Sequence, residues 1–184
     1  MTAHEYLTGL LRATEVPRTA VALPKAKRTV EVLTILREER SWAGPVPASL
    51  RSIPNKPALQ FDGQPTWAEF ILLRLLEGDG WNGAWVKNWH GLAFWRNACE
   101  VVELSLLASA LFRQIQKRLG GRGGGGWDIL ASRGDEVLFI ESKQHKRDRL
   151  GPTQKIWIES ALDEGVPLSS FAIVEWRTLP EFAT

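Results

Sequence analysis

The stretch WDILASRGDEVLFIESK, residues 127–143, decides the fold. Trp127–Ser132 and Glu136–Ser142 are short apolar runs separated by Arg133-Gly134-Asp135, a combination that predicts two antiparallel strands joined by a tight turn. Side chains two apart on a strand share a face at roughly 7 Å spacing, so Glu141 and Lys143 project together, and the hairpin partner brings Asp128 beside them. Three charges then converge on strands that otherwise exclude charge, where an isolated buried carboxylate demands a cation or a proton. Taken alone, Glu141-Ser142-Lys143 is also accounted for by a structural salt bridge.

Working outward, Pro152 at a first helical position opens a helix whose Trp157, Ile158, Ala161 and Leu162 share a face; Gly165 closes it, and Phe171–Trp176 reads as a buried strand. Upstream, Gly120, Gly121 and Gly123–Gly126 form a glycine run, open to two readings: a flexible linker, or a place where a nucleic-acid backbone comes close. Before it, Asn97–Leu119 places Val101, Leu104, Ala108, Leu111 and Ile115 on one helical face, and Ala84–Trp89 alternates as a half-buried strand. Thr66-Trp67-Ala68-Glu69 has the form of a capping box opening a helix over about 67–77. From Thr66 the expected order is α, β, α, β, β, α, β. Residues 1–60 carry six prolines and read as an N-terminal accessory arm or cap, mostly helical and irregular, ahead of a main domain over 61–184.

With 184 residues and 44% hydrophobic content, the chain is expected to fold as a soluble globular unit. No apolar run reaches the ~18 residues of a membrane span, and Met1–Leu11 lack a basic leader, so a cytoplasmic location without membrane contact is expected. Cys99 is the only cysteine, which leaves no internal disulfide and no cysteine-based zinc site, and His4, His90 and His145 lie too far apart for a local metal motif. The net charge is only +2, yet between Glu141 and Lys155 stand Lys143, Lys146, Arg147, Arg149 and Lys155 against two acidic residues. Such a stretch is a polyanion contact or a solvated loop.

A carboxylate pair beside a lysine suits phosphodiester hydrolysis. Carboxylate oxygens hold Mg²⁺, which polarises the phosphate and acidifies a bound water, while an ammonium orients that water or offsets charge on the phosphate. The ordered set Gly126-Trp127-Asp128, Ile140-Glu141-Ser142-Lys143, Asp148-Arg149-Leu150 and Gln154-Lys155-Ile156-Trp157 resembles the PD-(D/E)XK nuclease superfamily, closest to its virus-type replication-repair (VRR-NUC) branch. The resemblance spans Thr66–Trp176. It departs at Trp127, where family members usually carry proline, and in the helix 97–119, which stands as an insertion.

The resemblance implies an α/β restriction-endonuclease-like core, with a central mixed β-sheet flanked by helices, and Mg²⁺-dependent cleavage of DNA, Mn²⁺ substituting, on branched, flapped or single-stranded repair substrates. It implies Asp128 and Glu141 as metal ligands with the Ser142 carbonyl as a third, Lys143 as the water-positioning or charge-stabilising group, and Gln154 pointing back at the site. Glu69 matches an acidic residue on the first core helix, although the capping box accounts for it without a metal. Lys146, Arg147, Arg149 and Lys155 are the candidate phosphate contacts, and Asp148 is expected to fix their loop. Trp157 and Trp176 are core positions; Trp81, Trp85, Trp89 and Trp95 form a cluster for packing or, as the alternative, base stacking. RNA as substrate, a homo-oligomer, and a non-cleaving nucleic-acid-binding or assembly module on the same fold are left open.

Overall fold

The computed structural model describes residues 3–51, 56–87, 92–121 and 126–179. Helix α1 (Ala3–Leu10) leads into the hairpin β1 (Arg18–Leu23) and β2 (Arg28–Ser41), followed by the small hairpin β3 (Leu59–Phe61) and β4 (Gln64–Thr66). Helix α2 (Ala68–Gly78), strands β5 (Asn82–Lys87), β6 (Ala93–Asn97) and β7 (Glu100–Val101), and helix α3 (Leu106–Arg118) come next. The chain continues through β8 (Ile129–Arg133), β9 (Glu136–Gln144), α4 (Pro152–Asp163) and β10 (Phe171–Leu179). One sheet joins the strands in the order β4-β3-β2-β10-β9-β8-β5-β6-β7, with β1 on β2. It is mixed: β10 lies between β9 and β2 and runs parallel to both, whereas the other pairings are antiparallel.

Strand alternation sorts the core into two layers. Ile129, Ala131, Leu138, Ile140, Ala172 and Val174 face α1 and α2, meeting Leu7, Leu11, Phe70, Leu73 and Leu76. Their neighbours Leu130, Phe139, Phe171 and Ile173 face α3 and α4, meeting Phe112, Ile115, Trp157, Ile158 and Ala161. Both faces are therefore covered, which is why β8 and β10 read as nearly continuous apolar runs. The α/β class with a central mixed sheet flanked by helices agrees with expectation. No helix among the described residues is long and apolar enough to cross a membrane.

Three expectations change. The supposedly helical and irregular residues 1–60 contribute β1, β2 and most of β3 to the sheet, and Val32–Arg37 of β2 are buried throughout because this interior strand, between β10 on one edge and β1 and β3 on the other, is covered on both faces. The helix expected over 97–119 begins only at Leu106, where the Ser105 hydroxyl accepts from the Ala108 N–H at 3.2 Å. Upstream of it the chain forms the β6–β7 hairpin, whose turn Asn97 fastens by accepting from Cys99 N–H and donating to Glu100; such local side-chain bonds compete with helix formation. The third change concerns the capping box. Thr66 pairs with Leu59 as the last residue of β4, and the N-cap position falls to Trp67, without a side-chain cap. Trp89, His90 and Gly123–Gly125 lie outside the described residues.

The expected tryptophan packing is observed where it can be seen. Trp85 meets Trp67 and Phe70 edge-on, each at 5.6 Å between ring centroids, and Trp81, Trp157 and Trp176 are buried. Trp127 is buried against Phe171 at 5.1 Å and thereby anchors the segment that enters β8.

One buried acid ties the N-terminal hairpin to this frame. Glu159 on α4 is 2% exposed, and its carboxylate accepts from the backbone N–H groups of Lys25, at 2.9 Å, and Ala26 at the tip of the β1–β2 turn. Removing the carboxylate breaks two charge-assisted hydrogen bonds that tie the turn to α4. Glu159→Ala is expected to lower unfolding stability by about 2 kcal/mol, read from urea titration; a loss indistinguishable from zero would show that the clasp holds nothing.

Candidate active site

The hairpin register puts the site together. Ile129 pairs with Ile140, so one further step sets Asp128 opposite Glu141, at the start of β8 and near the end of β9. The two strand ends are cross-linked twice: the Asp128 N–H donates to Glu141 Oε2 at 3.2 Å, and the Ser142 N–H donates to Asp128 Oδ2 at 3.0 Å. The Asp128 carbonyl in turn accepts from the Val86 N–H at 2.7 Å, so β5 fixes the same residue from its other edge.

Glu141 is the centre of the arrangement, 1% exposed. Its Oε1 takes the Lys143 ammonium at 2.7 Å and a hydrogen bond from the Gln154 side-chain amide. Gln154 stands in the first turn of α4, where its Oε1 accepts from the Gly151 N–H at 2.8 Å and Trp127 Nε1 donates to its backbone carbonyl at 3.3 Å. One amide therefore caps the helix and reaches into the site, and the helix start is held in register with the strand it faces.

Glu69 approaches from α2. Free of the capping role expected for it, Glu69 is buried and pairs with Lys56, Nζ to Oε2 at 3.0 Å. Its field is felt at Asp128. Burial first and then Glu69 push the Asp128 carboxyl up to about 6, with Lys56, the Ser142 N–H and Lys143 pulling the other way. Burial and then Asp128 raise Glu141 well above the usual carboxylate range, against the pull of Lys143. Burial works against the charge on Lys143, but Glu141, Asp128 and Asp148 together keep its ammonium above the ordinary lysine value. Three carboxylates thus share a partly dehydrated site with two ammoniums.

Among the described residues no group of three or more His, Cys, Asp or Glu side chains is arranged to hold a metal ion by itself. The candidate donors are the Asp128 carboxylate and the Glu141 carboxylate, whose two oxygens are hydrogen-bonded within the site, with the Ser142 carbonyl as the third expected from the sequence. That set fits Mg²⁺, which keeps several waters and binds through one or two carboxylates instead of a closed protein cage. The buried Ser142 Oγ has no hydrogen-bond partner among the described residues, and Glu69 Oε2 accepts no hydrogen bond beyond its ion pair.

The basic residues divide. Lys143, Arg149 and Lys155 line one cleft of about 270 Å³ beside the carboxylates, with Asp148, Glu175 and Thr19 on its walls. Lys146 and Arg147 stand exposed in the turn after β9 and do not line it. Asp148 fixes that turn as expected, accepting from the Gln144 N–H at 3.2 Å, and Lys146 there adopts a left-handed conformation at φ 61°. Glu175 and His145 were not singled out as site residues from the sequence. Glu175 sits across from Lys143 in the parallel β9–β10 register and pairs with His145 Nδ1 at 2.7 Å. A glutamate inside the apolar run Phe171–Trp176 was the available signal. Lys56, flanked by Pro54 and Pro57, gave none.

No protein-family model matches the chain, and no curated protein or solved structure matches it.

The raised carboxyl at Asp128 has a measurable consequence in metal-free buffer. Its folded value of about 6 lies above the ordinary 3.8, so across that interval the native state holds a proton that the unfolded chain has released. This contribution to stability is complete below about pH 4 and lost as pH rises through about 6. Asp128→Asn cannot titrate. Its melting temperature relative to wild type is expected to climb between pH 4.5 and pH 7.5, by on the order of 5 °C; an offset independent of pH would contradict the assignment.

Proposed function

We propose that the chain is a metal-dependent nuclease of PD-(D/E)XK type, hydrolysing phosphodiester bonds in DNA with a preference for branched, flapped or single-stranded structure. The observation that carries the reading is the convergence of Asp128, Glu141, Lys143 and Gln154 at one end of the β8–β9 hairpin, with one more carboxylate than ammonium once Glu69 and Lys56 are included. Structural ion pairs tend toward neutrality when buried, whereas sites that bind cations or move protons keep perturbed carboxyls.

Asp128, Glu141 and the Ser142 carbonyl would hold Mg²⁺, which when bound supplies Lewis acidity toward the phosphate and lowers the pKa of a coordinated water. Lys143 places a positive charge beside that position, where negative charge grows on the phosphoryl oxygens as the bond breaks. Gln154 holds the Glu141 carboxylate in a fixed orientation by a bond made from a rigid helix turn, which keeps the donor set arranged before substrate arrives. Arg149 and Lys155 carry charge along the adjoining cleft, suited to phosphates on either side of the cut and indifferent to base sequence.

A second reading has its own support. Lys143 lies within 2.7 Å of Glu141, which is the geometry of a structural ion pair, and a protein that keeps this pair without cutting would be a nucleic-acid-binding or assembly module. The two separate on a panel of single-stranded, duplex, flap and four-way-junction DNA, together with RNA, incubated with Mg²⁺ or Mn²⁺. Wild type is expected to cut at least one DNA structure. Lys143→Ala is expected to bind that DNA as tightly and to cut it about 10²-fold more slowly or worse. Lys143→Arg should restore little, because the guanidinium fork is wider than the ammonium. Absence of cutting across the whole panel, with binding equal in wild type and Lys143→Ala, would overturn the nuclease reading in favour of the module.

A further inference from the structure

Lys56 belongs to no motif in the sequence, yet it occupies a built position. Its Nζ lies 3.0 Å from Glu69 Oε2, 4.7 Å from the centroid of the Trp85 ring and 5.2 Å from that of Trp67, and its side chain is only 20% exposed. The two indoles meet edge-on and are themselves buried, so they form a fixed corner with an aromatic face toward the ammonium. A compact charge on a flexible four-carbon stem can leave such a corner while its methylenes stay against the rings, which a forked guanidinium could not do as freely. The carboxylate it touches is the one whose charge bears on Asp128.

We propose that Lys56 is a resident counter-ion of the acidic site: in the metal-free protein its ammonium supplies the positive charge that Glu69 and Asp128 lack, and it yields that role when a divalent cation binds. The inference rests on the metal-dependent reading of the site. It assigns Lys56 a positioning role and sets metal affinity as a competition, with binding of the ion releasing the ammonium toward solvent, where a polyanion would meet it. The arrangement keeps the carboxylates folded inward in the absence of metal at the cost of weaker metal binding.

The test is calorimetric titration of Mn²⁺ into the metal-free full chain, for wild type, Lys56→Met and Lys56→Arg, at one pH and ionic strength. Lys56→Met retains an apolar stem for the indole corner and removes the charge. Its Mn²⁺ dissociation constant is expected to fall about tenfold, as for loss of one unit charge whose field reaches the metal-binding carboxylates, and Lys56→Arg, which keeps the charge and leaves the corner less freely, is expected to bind Mn²⁺ no more tightly than wild type. Lys56→Gln provides the same comparison with a polar stem, and Mn²⁺ should raise the melting temperature of either neutral variant more than it raises that of wild type. A purely structural ion pair predicts the opposite sign, since losing it would loosen Glu69 and weaken the site. If wild type binds Mn²⁺ and both neutral variants bind it equally or less tightly, the role of Lys56 is overturned and the metal reading stands. If Mn²⁺ binds to none of the proteins, both are overturned.

Discussion

The Glu141 carboxylate, buried on β9 and held at once by the Asp128 N–H, the Gln154 amide and the Lys143 ammonium, is the interaction on which the rest of the arrangement depends. A carboxylate this deeply dehydrated survives only with its lone pairs engaged. Each partner arrives on a different local geometry: Asp128 by cross-strand register, Lys143 by two-residue spacing on the same strand, and Gln154 from the first turn of α4. A shift of one residue in the β8–β9 register would turn Glu141 and Lys143 to the opposite face, leaving Gln154 without its partner. The charge cluster and the strand pairing therefore constrain one another.

The three-layer packing explains how so much charge is tolerated. Leu138, Ile140, Leu130 and Phe139, beside and below the site, are fully enclosed by helices on both faces, and the aromatic contacts of Phe139 with Phe171 and Trp157 hold β9, β10 and α4 together. The charges lie where this packed region ends, at the rim formed by the start of β8, the end of β9 and the first turn of α4. Glu69 comes in from the helix layer on the other face, so Asp128 lies within the field of the α2 carboxylate and Glu141 within that of Asp128. A site built on strand ends and helix turns has little freedom to collapse when its charges repel, and burial first, with that repulsion second, holds its carboxyl pKa values up.

Much of this was legible in the sequence where local signals and tertiary contacts agree. The β8–β9 hairpin follows from two apolar runs around Arg133-Gly134-Asp135, and the positive φ of Gly134, 57°, is what that turn requires. Pro152 marks the start of α4, whereas the inward turn of Gln154, two residues on, carries no local signal and is expected only from the family resemblance. What escaped has physical reasons. The apolar positions 30, 32, 33, 35 and 36 show no clean period because β2 is covered on both faces, so neither alternation nor a helical stripe emerges. Val101 and Leu104 fit a helical spacing that the Asn97 turn and the Ser105 cap overrule. At Glu69 the capping-box pattern gave the wrong reason for an acidic residue, because Thr66 had already been taken up by β4. Lys56 depends on a contact with α2 that no local pattern encodes.

The central claim is that Asp128 and Glu141 share one divalent cation. Anomalous diffraction from crystals of the wild-type chain soaked in Mn²⁺ tests it most directly, since the scatterer reports its own position. One strong anomalous peak is expected at coordination distance from a carboxylate oxygen of Asp128 and one of Glu141, with Lys143 beside it. Mn²⁺ density confined to other parts of the surface, or none at all with both carboxylates left in place, would contradict it.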